Sequence, residues 1–103
     1  MCMRIKVELH RTVLWFLRHE ASVAEIEGFY QQLGQLTTDP VALIEHSEAI
    51  HDPEASRYML RFFRFEGCIA VFETNRARDR ILVRQCQRLP QQRPGNRTRD
   101  NEP

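Results

Sequence analysis

The amino-acid sequence predicts a single α+β domain over residues 1–89, with an N-terminal strand and a helical hairpin packed on a small antiparallel sheet. Two observations carry this prediction. Residues 22–36 show an amphipathic helical pattern, and residues 57–89 contain three strand-like segments separated by turn signals, which indicates a C-terminal three-stranded meander. Residues 90–103 contain three prolines and no large apolar side chain, so we expect a disordered polar tail.

The first three elements are predicted from hydrophobic periodicity and helix-start signals. Residues 3–9 alternate between apolar and polar side chains, which is typical of a strand with one buried face. Residues 12–20 have helical spacing instead. The second helix begins at Ser22, and Glu25 completes a capping box in which each side chain bonds the other residue's amide. Its apolar stripe consists of Val23, Ile26, Phe29, Tyr30, Leu33 and Leu36.

A third, short helix and a loop are expected before the meander. Asp39 is a favourable N-cap residue, and Pro40 fits the first position of a helix. Residues 46–56 show no period and contain a second Asp-Pro pair, which indicates a loop. His46 and His51 flank this loop and could reach the face of the sheet, although loop histidines more often simply face water.

The meander is predicted over residues 58–65, 68–72 and 80–89. Glu66-Gly67 offers a tight reversal, and the polar residues 73–79 connect the last two strands. In the last strand, regular alternation would place Arg80, Arg84 and Arg88 on the same side. Several arginines of neighbouring strands could therefore converge on one surface.

Composition excludes several classes of protein. The chain is 42% hydrophobic and 28% charged, which is ordinary for a soluble domain. It has no apolar run of the roughly 20 residues that a membrane-spanning helix needs, and no signal-peptide pattern, so we expect a cytoplasmic protein without membrane contacts. Neither its three cysteines nor its four histidines have metal-ligand spacing. We therefore expect no metal and no cofactor, and we expect Cys68 and Cys86 to be small buried side chains.

Charge is distributed unevenly along the chain. Residues 57–89 carry eight arginines against three acidic residues, a net charge of +5, whereas residues 1–56 carry four basic and nine acidic residues, a net charge of −5. Lys6 is the only lysine, and the other fourteen basic residues are arginine. Guanidinium groups bind phosphate bidentately and stack on bases, which ammonium groups do not. The meander is therefore the candidate functional region.

Three interpretations of the arginines remain open. Arginines on neighbouring strands, with aromatic rings such as Tyr58 nearby, suit a phosphate backbone with stacked bases. Alternatively, the arginines pair with the acidic helices of the same molecule. They could also bind an acidic protein partner. The arginines concerned are Arg57, Arg61, Arg64, Arg80, Arg84 and Arg88.

The order of elements and several segments resemble the RelE/ParE superfamily of bacterial toxins from toxin–antitoxin systems. The resemblance covers most of residues 3–89. It is carried by the opening strand MRIKVEL, the helix VAEIEGFYQQLGQL and the short Asp39-Pro40 segment. The clearest match is the hairpin RYMLRFFRFEGCIAVFE followed by the closing strand RILVRQCQR.

The resemblance implies a small α+β toxin that is neutralised by a cognate antitoxin and that arrests growth. Some members of the superfamily cut messenger RNA on the ribosome, and others inhibit DNA gyrase without cutting anything. By position, Arg64, Arg84 and Arg88 match basic residues of the family and would hold and neutralise a scissile phosphate. Arg57, Tyr58, Arg61 and Arg80 are the expected further contacts to nucleic acid or a partner.

Two positions depart from the RNA-cutting members of the superfamily. Those members commonly place an arginine in the middle strand of the meander, where this chain has Cys68 or Ile69. Several also have a tyrosine or histidine near the C-terminal end, where this chain has Gln87, Leu89 and Pro90. Because a middle-strand arginine would stabilise the developing phosphorane charge, its loss leaves two alternatives, an endoribonuclease or a non-catalytic binding protein of the same fold.

Overall fold

The computed structural model describes residues 4–53 and 59–90, and it has the predicted α+β fold with a C-terminal meander. Arg57, Tyr58 and all of the predicted tail except Pro90 lie outside the described residues. The elements, in chain order, are β1 (Lys6–Leu9), α1 (Arg11–His19), α2 (Val23–Leu36), α3 (Pro40–Glu45), β2 (Glu48–Ala49), β3 (Leu60–Phe65), β4 (Cys68–Thr74) and β5 (Arg80–Arg88).

The five strands form one sheet in the order β1-β5-β4-β3-β2. The meander β3-β4-β5 is antiparallel, as predicted. However, β1 pairs parallel to β5, so the sheet is mixed at one edge. Parallel neighbours need a long crossover connection, and here the whole segment between β1 and β5 supplies it.

The two-residue strand β2 lies within the segment predicted to be a loop. Glu48 pairs with Phe62 and Ala49 with Arg61, which extends the sheet beyond β3. Two residues are too few to show a period of two, so hydrophobic patterning carries no signal for such a strand.

The helix-start predictions are confirmed. The Ser22 hydroxyl accepts the Glu25 amide at 3.1 Å, and Glu25 Oε1 accepts the Ser22 amide at 2.9 Å. The Asp39 carboxylate accepts the Ala42 amide at 2.8 Å at the start of α3. Three members of the predicted stripe of α2 are buried, Phe29, Leu33 and Leu36, whereas Val23 and Tyr30 are exposed.

The core lies between the helices and one face of the sheet. Phe29 of α2 packs against Phe63 and Phe65 of β3, with ring centroids 5.8 and 5.3 Å apart. Phe72 of β4 continues this cluster at 6.2 Å from Phe63. Cys68 is buried in the same core with a free thiol, as predicted.

A β-bulge in β5 changes which arginines share a face. Phe72 pairs with Val83 and Val71 with Gln85, so Arg84 is an extra residue without a partner on β4. Its backbone carbonyl instead accepts the hydroxyl of Thr12, in the first turn of α1, at 2.8 Å. Because the bulge shifts the alternation by one residue, Arg84 and Arg88 do not lie on the same side, which corrects the expectation from regular alternation.

No helix in the described parts of the chain is long and apolar enough to cross a membrane.

Candidate functional site

The side chains of the sheet that point away from the helices form one solvent-facing surface, which we call the open face. They alternate along β3, β4 and β5 with the core residues that point towards the helices. The centre of the open face is apolar and half-buried, and its edges are charged. Its members are Leu60, Phe62, Arg64, Ile69, Val71, Glu73, Leu82, Arg84, Gln85 and Gln87.

Arg64 lies on the open face near the end of β3. Its guanidinium carbon is 5.4 Å from the centroid of the Phe62 ring, and its Nε is 3.4 Å from Glu48 Oε2. The side chains of Arg64 and Glu48 are 58% and 59% exposed, so this ion pair is weak and easily exchanged for another anion. Arg64 is therefore accessible to a ligand.

A recess of about 250 Å³ beside Arg64 includes His46, which the sequence placed within reach of the sheet but did not assign to the site. His46, Glu48 and Arg64 line it together with Phe62. His46 follows the last residue of α3, and its backbone amide donates to the Ala42 carbonyl at 2.9 Å. The sequence placed His46 at the edge of a loop. Because β2 pairs with β3 shortly after His46, it brings His46 into the same recess as Arg64.

Arg84 lies on the open face at the bulge. Its Nη1 is 3.5 Å from Glu73 Oε2, and both side chains are partly exposed. Since β4 lies between β3 and β5, Arg64 and Arg84 are two strand spacings apart, about 10 Å, with a further offset along the strands. The two arginines could hold a ligand that crosses β4, and they do not contact each other.

Arg80 occupies a corner of the sheet, at the start of β5. It pairs in register with Lys6 of β1, and both residues line a recess of about 200 Å³ with Arg4 and Asp79. Three cations surround one acidic side chain there. Asp79 is also engaged by Asn75, whose amide donates to its carboxylate at 2.6 Å.

Arg88 lies on the opposite face of the sheet and joins the ends of two helices. Its Nε and Nη2 donate to the Glu25 carboxylate at 3.0 and 2.9 Å, and Nη2 also donates to the Glu20 carbonyl at 2.6 Å. Its guanidinium is 5.5 Å from the centroid of the Phe16 ring. The hydrogen bonds from Arg88 and the Ser22 amide lower the pKa of Glu25 to about 2. Arg88 thus holds the α1–α2 junction and is separated from Arg64 and Arg84.

Arg61 also points away from the open face. Its Nε donates to the Ser47 hydroxyl at 2.7 Å, and Nη2 donates to the carbonyls of Ser47 and Ile44 at 3.0 and 3.3 Å. The Ile44 carbonyl belongs to the last turn of α3, and the Ser47 carbonyl follows that turn. A positive charge is favourable at this end of a helix. Arg61 and Arg64 therefore lie on opposite sides of β3, as the alternation of side chains along a strand requires.

The charges of the open face and its margin nearly balance. Four basic side chains share this surface with three acidic ones. The basic residues are Lys6, Arg64, Arg80 and Arg84, and the acidic residues are Glu8, Glu48 and Glu73. Much of the positive charge of the meander therefore lies elsewhere or is paired, and the open face has only a small positive surplus. The interpretation in which arginines pair within the molecule accounts for Arg88, whose partner Glu25 is on a helix.

The middle strand brings no cation to the open face. Ile69 and Val71 face outwards, and Cys68 faces the helices. Neither Cys68 nor Ile69, the two positions that match the middle-strand arginine of the RNA-cutting members, therefore supplies a cation there. Burial raises the pKa of the Cys68 thiol to about 11, with a further contribution from Glu25. Within residues 4–53 and 59–90, no three histidine, cysteine or acidic side chains are grouped so that they could hold a metal ion.

The fold is shared with a chain of an archaeal protein complex of known structure. The chain superimposes on one chain of the RelE-RelB complex from Pyrococcus horikoshii OT3 with a TM-score of 0.61, 18% sequence identity, and coverage of 84% of this chain and 96% of that chain. At this identity the likeness shows the fold alone. No protein-family model matches the chain. No curated protein matches it either.

Proposed function

We propose that this protein is the toxin of a toxin–antitoxin pair and arrests growth by cleaving messenger RNA on the ribosome. The observation that carries the proposal is the shared fold with a chain of the RelE-RelB complex, combined with arginines on the open face. The antitoxin is the proposed protein partner, by analogy with RelB in that complex. The ribosome and its messenger RNA are the proposed target.

Arg64 and Arg84 are proposed to hold the RNA backbone. Guanidinium groups form short, bidentate hydrogen bonds to phosphate, and they stabilise the negative charge that develops on a phosphate under attack. Exposed ion pairs such as Arg64–Glu48 and Arg84–Glu73 contribute only about 0.2–1 kcal/mol each, so a phosphate can replace the carboxylates at small cost. Arg88 lies outside this proposed site because Glu25 holds it on the opposite face.

His46 is the proposed proton-transfer group. RNA cleavage requires a base that takes a proton from the attacking hydroxyl and an acid that protonates the leaving oxygen. Arginine cannot serve as that base because it stays protonated. His46 shares a recess with Arg64, and an imidazole ring can both accept and donate a proton, so His46 is the best-placed described side chain for the task.

Further contacts to RNA are proposed at the corner of the sheet. Arg80 lies there with Arg4 and Lys6, and such a cluster suits sequence-independent binding of a phosphate backbone. Arg57 and Tyr58 stay predictions as contact residues, since they lie outside the described residues. Arg61 is not part of the proposed surface, because its guanidinium binds backbone carbonyls on the helix side.

A second candidate function is a non-catalytic binding protein of the same fold, such as a DNA gyrase inhibitor or an accessory protein. The observation that favours it is the apolar middle strand, where Ile69 and Val71 occupy the centre of the open face. An apolar centre with charged edges is typical of a protein-binding surface rather than of a phosphate-cleaving site.

Induced expression in bacteria separates the two functions. The mRNA-cleavage proposal predicts growth arrest together with new 5′ ends in primer extension of cellular transcripts. Arg64→Ala combined with Arg84→Ala should abolish both effects. Arg11→Ala combined with Arg18→Ala, which removes two exposed arginines of α1, is the matched control and should leave them unchanged.

Other outcomes of this experiment count against the proposal. Growth arrest without cleaved transcripts, accompanied by a loss of DNA supercoiling, would favour gyrase inhibition. Normal growth with folded protein present would contradict the toxin proposal itself. Retention of cleavage in the Arg64/Arg84 variant would contradict the assigned site.

A further inference from the structure

A third recess lies at the end of the sheet where β3 begins and β4 ends, at the far end of β3 from Arg64. Its volume is about 260 Å³. Two arginines, Arg61 and Arg78, are among the residues that line it. Its aliphatic wall is formed by Ile44, Ile50, Met59 and Leu60. The recess thus combines an apolar wall with two positive charges.

Within the described parts of the chain, Arg61 is held in place by neutral partners. Its three hydrogen bonds go to the Ser47 hydroxyl and to the carbonyls of Ser47 and Ile44. Partial burial and, secondarily, the charge of Arg78 lower the pKa of Arg61. In the described parts of the chain, no carboxylate forms an ion pair with either arginine. The charge of Arg61, partly desolvated and close to a second cation on the exposed Arg78, is stabilised when an anion joins the two arginines.

Arg78 is positioned by an ordered turn. It adopts φ of 59°, a left-handed conformation that is uncommon for a residue with a side chain. Its amide donates to the Asn75 carbonyl at 3.1 Å, and the Asn75 side chain accepts the amides of Asp79 and Arg80. The turn therefore fixes the backbone at Arg78 before any ligand binds, which reduces the entropy cost of ordering this loop.

The lining indicates which class of ligand fits. The described wall is aliphatic and offers no aromatic ring on which a base could stack, so it does not suit nucleic acid. Its volume falls below the roughly 300–1,000 Å³ of pockets that enclose a small molecule. A recess of this size accommodates a short stretch of a peptide, and two arginines in its lining favour a carboxylate there.

We propose that this recess binds an acidic peptide segment of a partner protein, with a carboxylate between Arg61 and Arg78 and an aliphatic side chain against Ile44, Ile50 and Leu60. The site shares only Leu60 with the open face and contains neither Arg64 nor Arg84. The inference does not rest on RNA cleavage, because it requires only a partner that presents an acidic residue next to an aliphatic one.

Two matched peptides test the proposal on the full chain. The isotope-labelled protein is titrated with acetyl-Leu-Glu-Leu-amide and, separately, with acetyl-Leu-Gln-Leu-amide, and backbone amide shifts are followed by NMR. We expect the acidic peptide to shift the amides of Leu60, Arg61, Thr74 and Arg78, and to bind at least about tenfold more tightly than its neutral counterpart.

Variants of the same loop provide the control. Arg78→Gln should weaken the acidic peptide about tenfold, whereas Arg76→Gln, two residues away and outside the recess, should leave its affinity unchanged. Both variants should keep the melting temperature of the parent. Equal binding of the two peptides, binding that shifts only other residues, or no binding at all would overturn the proposal. Inorganic phosphate that binds as tightly as the acidic peptide would also overturn it, by showing a simple anion site.

Discussion

Arg84 and Arg88 lie four residues apart on β5, yet their side chains are on opposite faces of the sheet. Arg84 forms an ion pair with Glu73 on the open face, and Arg88 forms an ion pair with Glu25 on the helix side of the sheet. The bulge at Arg84 produces this separation, because it adds one residue to β5 opposite β4. One arginine is thereby available to a ligand, and the other holds the fold together.

The bulge should depend on Thr12. Its hydroxyl donates to the Arg84 carbonyl, which has no partner on β4. Thr12→Val removes this donor, and we expect a loss of about 0.5–1.5 kcal/mol in the free energy of unfolding, measured with urea. Thr12→Ser keeps the hydroxyl and should retain most of the stability. Equal stability of the valine variant and the parent would show that the bulge does not need this bond.

The Glu25–Arg88 interaction should make stability depend on pH in the acidic range. The pKa of Glu25 is lowered from 4.5 to about 2, so its contribution is complete above about pH 4.5 and is lost as the pH falls towards 2. Glu25→Gln should therefore be less stable than the parent at neutral pH, and the difference should shrink between pH 4.5 and 2. Glu27→Gln, an exposed neighbour on α2, should show no such pH dependence. A difference that stays constant over this range would contradict the assignment.

The contribution of Arg61 to the stability of the fold should depend on the geometry of its guanidinium group as well as on its charge. Arg61→Lys keeps the charge but cannot satisfy the Ser47 hydroxyl and the two carbonyls at once. We expect it to lower the free energy of unfolding by about 1–3 kcal/mol. Arg64→Lys, on the exposed side of the same strand, should change stability by less than about 0.5 kcal/mol. Similar losses in both variants would contradict the distinction between the two arginines.

The two described cysteines should resist thiol reagents in the folded protein. Burial raises the pKa of Cys68 to about 11 and that of Cys86 to about 12. Since only the thiolate reacts, a Cys2→Ser variant should react at least about 100-fold more slowly when folded than when unfolded by denaturant. Rapid reaction of the folded variant with a thiol-specific chromogenic reagent would contradict this expectation.

Local features of the fold are predictable from the sequence because their partners are close in the chain. The capping box of α2 needs only Ser22 and Glu25, and the first meander turn needs only Glu66-Gly67, both of which adopt positive φ. The alternation of β3 likewise separates Arg61 from Arg64 without knowledge of the rest of the chain.

Features that depend on distant partners are not predictable in the same way. Thr12 meets the Arg84 carbonyl across 72 positions of the sequence, and Glu25 meets Arg88 across 63. Neither contact leaves a periodic pattern. The parallel pairing of β1 with β5 and the short strand β2 are also tertiary features. These contacts decide the candidate site, since they place Arg84 on the open face, remove Arg88 from it and bring His46 beside Arg64.

Cleavage of messenger RNA in a reconstituted translation reaction tests the central claim most directly. Purified protein is added to messenger RNA with and without translating ribosomes, and cleavage is mapped by primer extension. We predict cleavage only with ribosomes, a loss of about 100-fold or more in a His46→Ala/Arg64→Ala variant, and full activity in the Arg11→Ala/Arg18→Ala control. Absence of cleavage by the folded protein, or undiminished cleavage by the His46/Arg64 variant, would contradict the account.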